Sequence, residues 1–339
     1  MKAGRNRKLG IIAGIVVSGA ILCALVAGLN WTDFFTALKR LNPIFIPLYV
    51  GLFMLSFWLR AIRWRLLLPS HLTLSTVKLA NATLVGALAS SVLPLRAGEF
   101  IRPWALSRWQ PVSFPMGFAS IITERVFDVL AMLTLLGLVL GQLESAPEAV
   151  VIGARALGAF AAGIAVVMLV AYIRPATVLR ISDAVYDKLL SSKNIALRDK
   201  LSAMTAEFVG GLRAISSVRE LFLIVLLSLI IWCEFALVYQ VGLWAMGEWP
   251  SFWVGMTVNV IIALIIAVPS APGFIGTFQL GCYTALTAIY LYPEEFSLAY
   301  SVVMHGLQFV ATVLAGLFVL KREGLRFNDL KRSQDVEPR

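Results

Sequence analysis

The chain has 339 residues, of which 59% are hydrophobic and 14% charged, with 29 basic against 19 acidic side chains and a formal charge of +10. Soluble domains carry about half apolar and a quarter charged residues, so the composition excludes that class and points to an integral membrane protein. Three cysteines inside apolar runs and two distant histidines speak against a disulfide framework or a metal centre, and no Gly-rich phosphate loop of a nucleotide-driven pump occurs. No cofactor and no metal is expected.

A helix needs about 20 apolar residues to cross a bilayer. Runs of that length lie near 9–29, 43–66, 116–141, 150–173, 220–247 and 297–320, predicting six full spans. The first follows Lys2, Arg5, Arg7 and Lys8 in the manner of a signal peptide, but its apolar core is long and a retained span is expected. Two more apolar stretches, 76–107 and 252–292, are interrupted at Pro94 to Gly98 and at Pro269 to Gly276, which predicts broken or re-entrant helices. Between spans four and five, Leu201, Met204, Phe208, Leu212 and Ile215 fall at helical steps, so 174–219 reads as an interfacial segment or a linker helix. Residues 323–339 read as a disordered cytoplasmic tail after a single transmembrane domain over 1–322.

Cytoplasmic loops collect Lys and Arg. Placing both termini in the cytoplasm puts Arg60, Arg63, Arg65, Lys78 and the basic residues of 174–219 inside, and leaves Glu144, Glu148, Glu248, Glu294 and Glu295 outside. The expected location is the cytoplasmic (inner) membrane. The positive charge then reflects topology and attraction to anionic lipid; nucleic acid is not an expected partner. Trp58, Trp64, Trp104, Trp109, Trp249 and Trp253 read as interfacial belts.

Both interruptions read Pro, three residues, Gly: Pro94-Leu95-Arg96-Ala97-Gly98 and Pro269-Ser270-Ala271-Pro272-Gly273. Each is flanked by full spans, and the predicted orientation gives the units 43–141 and 220–320 opposite topology. The fold class is thus an all-α polytopic membrane protein, with six spans and two Pro-Gly-broken hairpins arranged as an inverted repeat. Secondary transporters use such repeats, with ligands held where broken helices meet; chance similarity of two Pro-Gly turns is the competing reading.

Arg96, Glu99 and Arg102 follow the first break. Arginine forks beside a half-helix N-terminus suit a phosphate or carboxylate; alternatively they snorkel to headgroups. Span three carries Glu124, Arg125 and Asp128 near its centre, at an insertion cost of about 9 kcal/mol, so it needs partners facing inward. Intramembrane charges are functional candidates, and an internal salt-bridged staple is the other reading. Glu234 and His305 are candidates for proton transfer or gating, or for polar packing contacts. The second break is uncharged and precedes Gln279.

The run Leu93 to Pro103, the Glu124-Arg125-Val126-Phe127-Asp128 segment and Pro269 to Gly273 together resemble the transmembrane flippase-like family, which includes the membrane part of lysylphosphatidylglycerol synthases. They are also similar to stand-alone members associated with hopanoid lipids or polyprenyl-phosphate-linked glycans. The resemblance covers roughly 9–322 and implies a substrate-binding set of Arg96, Gly98, Glu99, Arg102, Glu124, Arg125, Asp128, Pro272 and Gly273. It implies translocation of a lipid with an anionic, phosphate-bearing headgroup between leaflets, with membrane lipids as partners. A separate lipid synthase and self-association are further candidate partnerships. Gln279 departs from the pattern, standing where an acid is expected. The soluble aminoacyl-transfer domain of the full synthases is not in this sequence, so lipid aminoacylation by this chain alone is not expected. The rival readings are a membrane-embedded transferase acting on a polyprenyl phosphate and a scaffold for a separate lipid synthase.

Overall fold

The structure, a computed structural model, describes residues 2–93, 97–142, 148–189, 195–212, 215, 217–267 and 271–325. Every regular element among them is helical. In long apolar runs only a helix pairs its backbone groups within one segment, which lipid demands.

Helix α1 (Lys2–Val26) covers the first expected span. Gly28, at φ 88°, then turns the chain through 94° into α2 (Trp31–Lys39), an element the hydropathy does not foreshadow. Asn30 caps α2 by accepting from the amides of Thr32 and Asp33. A 3-10 turn at Pro43–Phe45 leads into α3 (Ile46–Leu66), behind which Arg65 donates to the carbonyls of Leu68, Pro69, Ser70 and Leu72. The first interrupted stretch forms α4 (Thr76–Val92) and α5 (Gly98–Trp109). Next come α6 (Phe114–Gly141), α7 (Glu148–Ile173), α8 (Pro175–Leu189), α9 (Ile195–Leu212) and α10 (Val218–Ala245). The second interrupted stretch is α11 (Phe252–Ile266), a 3-10 turn at Pro272–Phe274 and α12 (Thr277–Tyr283), prolonged as a π-helix over Thr284–Ile289. Helix α13 (Glu294–Arg322) closes the order.

Among the described residues, the segments Pro43–Leu66, Val218–Ala245 and Glu294–Arg322 are long and apolar enough to cross a bilayer, and the bent pair α1–α2 makes a fourth. Six were expected. Helix α6 has the length, 28 residues or about 42 Å. It stands apart because Glu124, Arg125 and Asp128 interrupt its apolar run.

Several expectations are displaced by packing. Trp64, expected at an interface, is fully buried and donates its indole N–H to Ser120 Oγ at 2.8 Å. The side chain of Glu323, assigned to the tail, is only 7% exposed and accepts from Lys78 Nζ at 2.6 Å and Asn81 Nδ2 at 2.7 Å. Two charge-compatible donors at the start of α4 hold it there; 326–339 lie outside the described residues. The amphipathic stripe of 201–215 falls mostly on α9, which ends at Leu212, while α8 segregates its polar and apolar residues more sharply.

The chain sorts by packing into two compact units, one of 1–61, 77–105 and 230–339, the other of 62–76 and 106–229. In the first, α12 packs on α11, α13 and α1, and α2 on α13, around Tyr49, Phe53, Tyr239, Phe278 and Tyr300. In the second, α6 packs on α7 and α9, and α8 on both α7 and α9.

Candidate functional site

In the second unit, α6 brings Glu124 and Asp128 to one face, four residues apart. Arg63, from the last turn of α3, reaches between them. Its Nη1 donates to Asp128 Oδ1 at 2.6 Å and to Ser228 Oγ at 2.9 Å, and its Nη2 lies 3.2 Å from Glu124 Oε1. Ser228 in turn donates its hydroxyl to the Ile224 carbonyl at 2.8 Å. From the other side, Arg125 Nη2 lies 2.8 Å from Glu124 Oε1 and 2.9 Å from Asp128 Oδ2. Among the described residues, two guanidiniums and two carboxylates thus form a charge-balanced quartet, which spares its buried members an uncompensated charge.

The quartet is asymmetric. The side chains of Arg63 and Glu124 are 1% and 0% exposed, whereas that of Arg125 is 46% exposed. Both acids are held twice, once by the buried arginine and once by the open one. The sequence groups Glu124, Arg125 and Asp128 correctly but assigns Arg63 to the cytoplasmic charges and misses Ser228. The available signal for Arg63 is its position inside the apolar run 43–66, where an arginine requires a buried counter-charge.

In the first unit, the second break is a polar knot. Gly273 at φ 69° and Gly276 at φ 88° occupy backbone conformations that L side chains rarely adopt. Gly276 N–H donates to Gln279 Oε1 at 2.8 Å, which turns Gln279 Nε2 toward His305 Nδ1 at 3.1 Å. His305 Nε2 then faces the Gly273 carbonyl at 2.8 Å and must be the donor there, so the partners assign the ring one proton, on Nε2. The ring also stacks on Phe278, centroids 4.5 Å apart. A carboxylate at 279 has no N–H to offer His305, which explains a glutamine where the family pattern suggests an acid. Gln279→Leu strands the Gly276 amide and His305 Nδ1. It is expected to cost about 1–3 kcal/mol for each stranded group, read as earlier thermal exposure of the buried Cys282 thiol.

The same turn is clasped from other helices. Ser18 Oγ of α1 accepts from Ala271 N–H at 2.9 Å, and a Cβ on Gly273 would come 3.0 Å from the Ser91 carbonyl of α4. The second break therefore lies against the last turn before the first break. Arg96, with Pro94 and Leu95, lies outside the described residues, as do Val268, Pro269 and Ser270.

Glu99, in the first turn of α5, is half-buried. Arg102 is buried, with its Cβ side against Gly86 of α4. Both belong to the first unit and the quartet to the second. Glu234 on α10 is 8% exposed, and neither carboxylate oxygen has a hydrogen-bond partner among the described residues. The neighbouring Phe235 ring carries the Arg60 guanidinium 4.8 Å from its centroid.

Residues 11–316 match the lysylphosphatidylglycerol synthase transmembrane region. The chain belongs to that family. This makes it a multi-pass membrane protein and agrees with the resemblance read from the motifs. Within the wider set of curated proteins it is 24% identical over 340 residues to a protein of Haloferax volcanii named glycosyltransferase AglD, a match covering 92% of this chain and 54% of that protein. The chain spans about half the length of that relative. No solved structure matches it.

Proposed function

We propose that this member of the lysylphosphatidylglycerol synthase transmembrane-region family is a flippase that moves a lipid with an anionic, phosphate-bearing headgroup between leaflets. The observation that carries the reading is the double grip on Glu124 and Asp128. A phosphate entering from the open side competes for Arg125, the exposed cation. When Arg125 turns to the phosphate, Arg63 keeps its contacts with both carboxylates, so neither acid loses its last cationic partner, at the cost of one net negative charge in the cluster. The quartet can thus lend one guanidinium to a headgroup and take it back. Replacing a phosphate's water shell with fixed donors is what translocation demands.

In the same reading Arg96 and Arg102, oriented by Glu99, receive the headgroup at the first break, and Pro272 and Gly273 shape the second. Glu234 and His305 serve as gating positions. Six spans and two re-entrant hairpins form the inverted repeat in an inner membrane, with both termini cytoplasmic. The approach of Gly273 to Ser91 supports that arrangement, because inverted repeats bring their broken helices together.

The test is leaflet exchange of a labelled anionic phospholipid in vesicles, followed by quencher accessibility. Arg125→Gln is expected to slow exchange at least about tenfold, the worth of one charge-assisted contact, with little change in melting temperature. A second reading, favoured by the name of the haloarchaeal relative, is a membrane-embedded transferase acting on a polyprenyl phosphate. It predicts loss of lipid product while exchange persists. Co-purification with a synthase, with product formation unchanged in Arg125→Gln, would instead indicate a scaffold.

A further inference from the structure

Helix α8 turns its sides the opposite way round from a helix in water. Toward α9 it presents polar groups. Asp183 accepts from Ser202 Oγ at 2.6 Å, Tyr186 and Thr205 share a hydrogen bond of 2.8 Å, and Asp187 accepts from Arg198 Nε at 3.0 Å. Away from those contacts it leaves Ile181 57% and Val185 42% exposed, and Ile173 at the end of α7 is exposed as well. Positions 177, 181 and 185 are four apart and form one strip on α8, with Thr177 its one polar member.

The charges divide in the same sense. Arg174, Arg180 and Lys188 are exposed beside the strip, while Asp183 and Asp187 are engaged by α9. A single residue, Arg174, separates α8 from α7, a 26-residue apolar helix. An apolar strip edged with cations, starting where a long apolar helix ends, fits the headgroup layer of a bilayer.

We propose that α8 docks on an anionic lipid surface, the leaflet at which α7 ends, with Ile181 and Val185 at the acyl boundary and Arg174, Arg180 and Lys188 on the headgroups. This stands on the membrane placement of the family and not on lipid translocation. The pairing of the acids with α9 matters as much as the cations, since it removes the negative charges that an anionic surface would repel. Membrane composition then becomes an input to α6 and α7, against which the α8–α9 hairpin packs.

The experiment uses the full chain with Cys23, Cys233 and Cys282 replaced by alanine and a spin label at Ile181→Cys or Asp187→Cys. Vesicles contain phosphatidylcholine alone or mixed equally with phosphatidylglycerol, and collisions with oxygen and a water-soluble nickel chelate report depth. In the mixed vesicles position 181 is expected to be oxygen-accessible and 187 nickel-accessible. Arg180→Gln and Lys188→Gln should each lower the docked-to-undocked ratio about fivefold. Hydrogen exchange of the unsubstituted chain gives a second reading, with α8 amides slowing when phosphatidylglycerol is present. The proposal is overturned if 181 meets the chelate as freely as 187, or if its shielding and its exchange rate ignore phosphatidylglycerol and both glutamine variants. Shielding that disappears at one copy per vesicle also overturns it, in favour of a second copy of this chain on that face.

Discussion

Replacing Arg63 with alanine is expected to cost about 3–5 kcal/mol, because it strands Glu124 and Asp128 with one half-exposed cation between them. The penalty comes from the uncompensated charge and not from the value of the ion pair. Three consequences separate that explanation from simple loss of packing. Arg125→Ala should cost only about 1 kcal/mol, since a half-exposed pair is screened by solvent. Arg63→Lys should fall between the two, because one ammonium replaces a fork that serves Asp128, Ser228 and Glu124 at once. Adding Glu124→Gln and Asp128→Asn to an Arg63→Met chain should restore most of the loss, as neutral amides no longer need a counter-charge. Thermal unfolding followed by circular dichroism in detergent checks all three. Equal melting of the Arg63→Ala and Arg125→Ala chains would contradict the asymmetric quartet.

That asymmetry marks the limit of what the sequence discloses. Intramembrane charge makes Glu124, Arg125 and Asp128 conspicuous, and their spacing places them on one face without any structure. Which arginine answers them depends on where α3 and α10 run, and nothing local to Arg63 or Ser228 records that. The same division holds for the fold. Apolar length gives α3, α10 and α13 directly, because hydropathy and span length share one physical cause. Helix α2 has only nine residues, and α8 alternates charge with apolar side chains at a density that resembles a loop, so both are hidden from a length criterion. Gln279 looks like a departure from the family pattern until His305 and the Gly276 amide are seen to need its two ends. Trp64 fails for a related reason: an indole suits an interface or a buried acceptor equally well, and only the position of Ser120 decides.

Gly98→Ala is expected to open the hairpin of α4 and α5. A Cβ there falls on the carbonyl oxygen of Gly86 and crowds Ser90 Oγ. The Ser90 side chain can rotate away, but the Gly86 oxygen belongs to the α4 backbone and cannot yield without moving that helix. Overpacking of this kind costs about 1–3 kcal/mol, and the upper end applies where the obstacle is backbone. Gly51→Ala and Gly141→Ala, with nothing within 4 Å of the added carbon, should be neutral or slightly stabilising. The chain carries its own reporter for this unit. Cys282 is buried, so in a chain with Cys23 and Cys233 replaced by alanine a thiol-reactive dye should label Cys282 only on unfolding. In Gly98→Ala that reaction should move to lower temperature, while Gly51→Ala leaves it unchanged. Gly98 is also among the residues that family resemblance places at the lipid site, and the two roles separate in this assay. Early Cys282 labelling together with lost lipid exchange would make the glycine a spacer between α4 and α5, acting on lipid only through the hairpin. Intact Cys282 protection with lost exchange would mean that the headgroup itself needs the bare backbone at the first turn of α5.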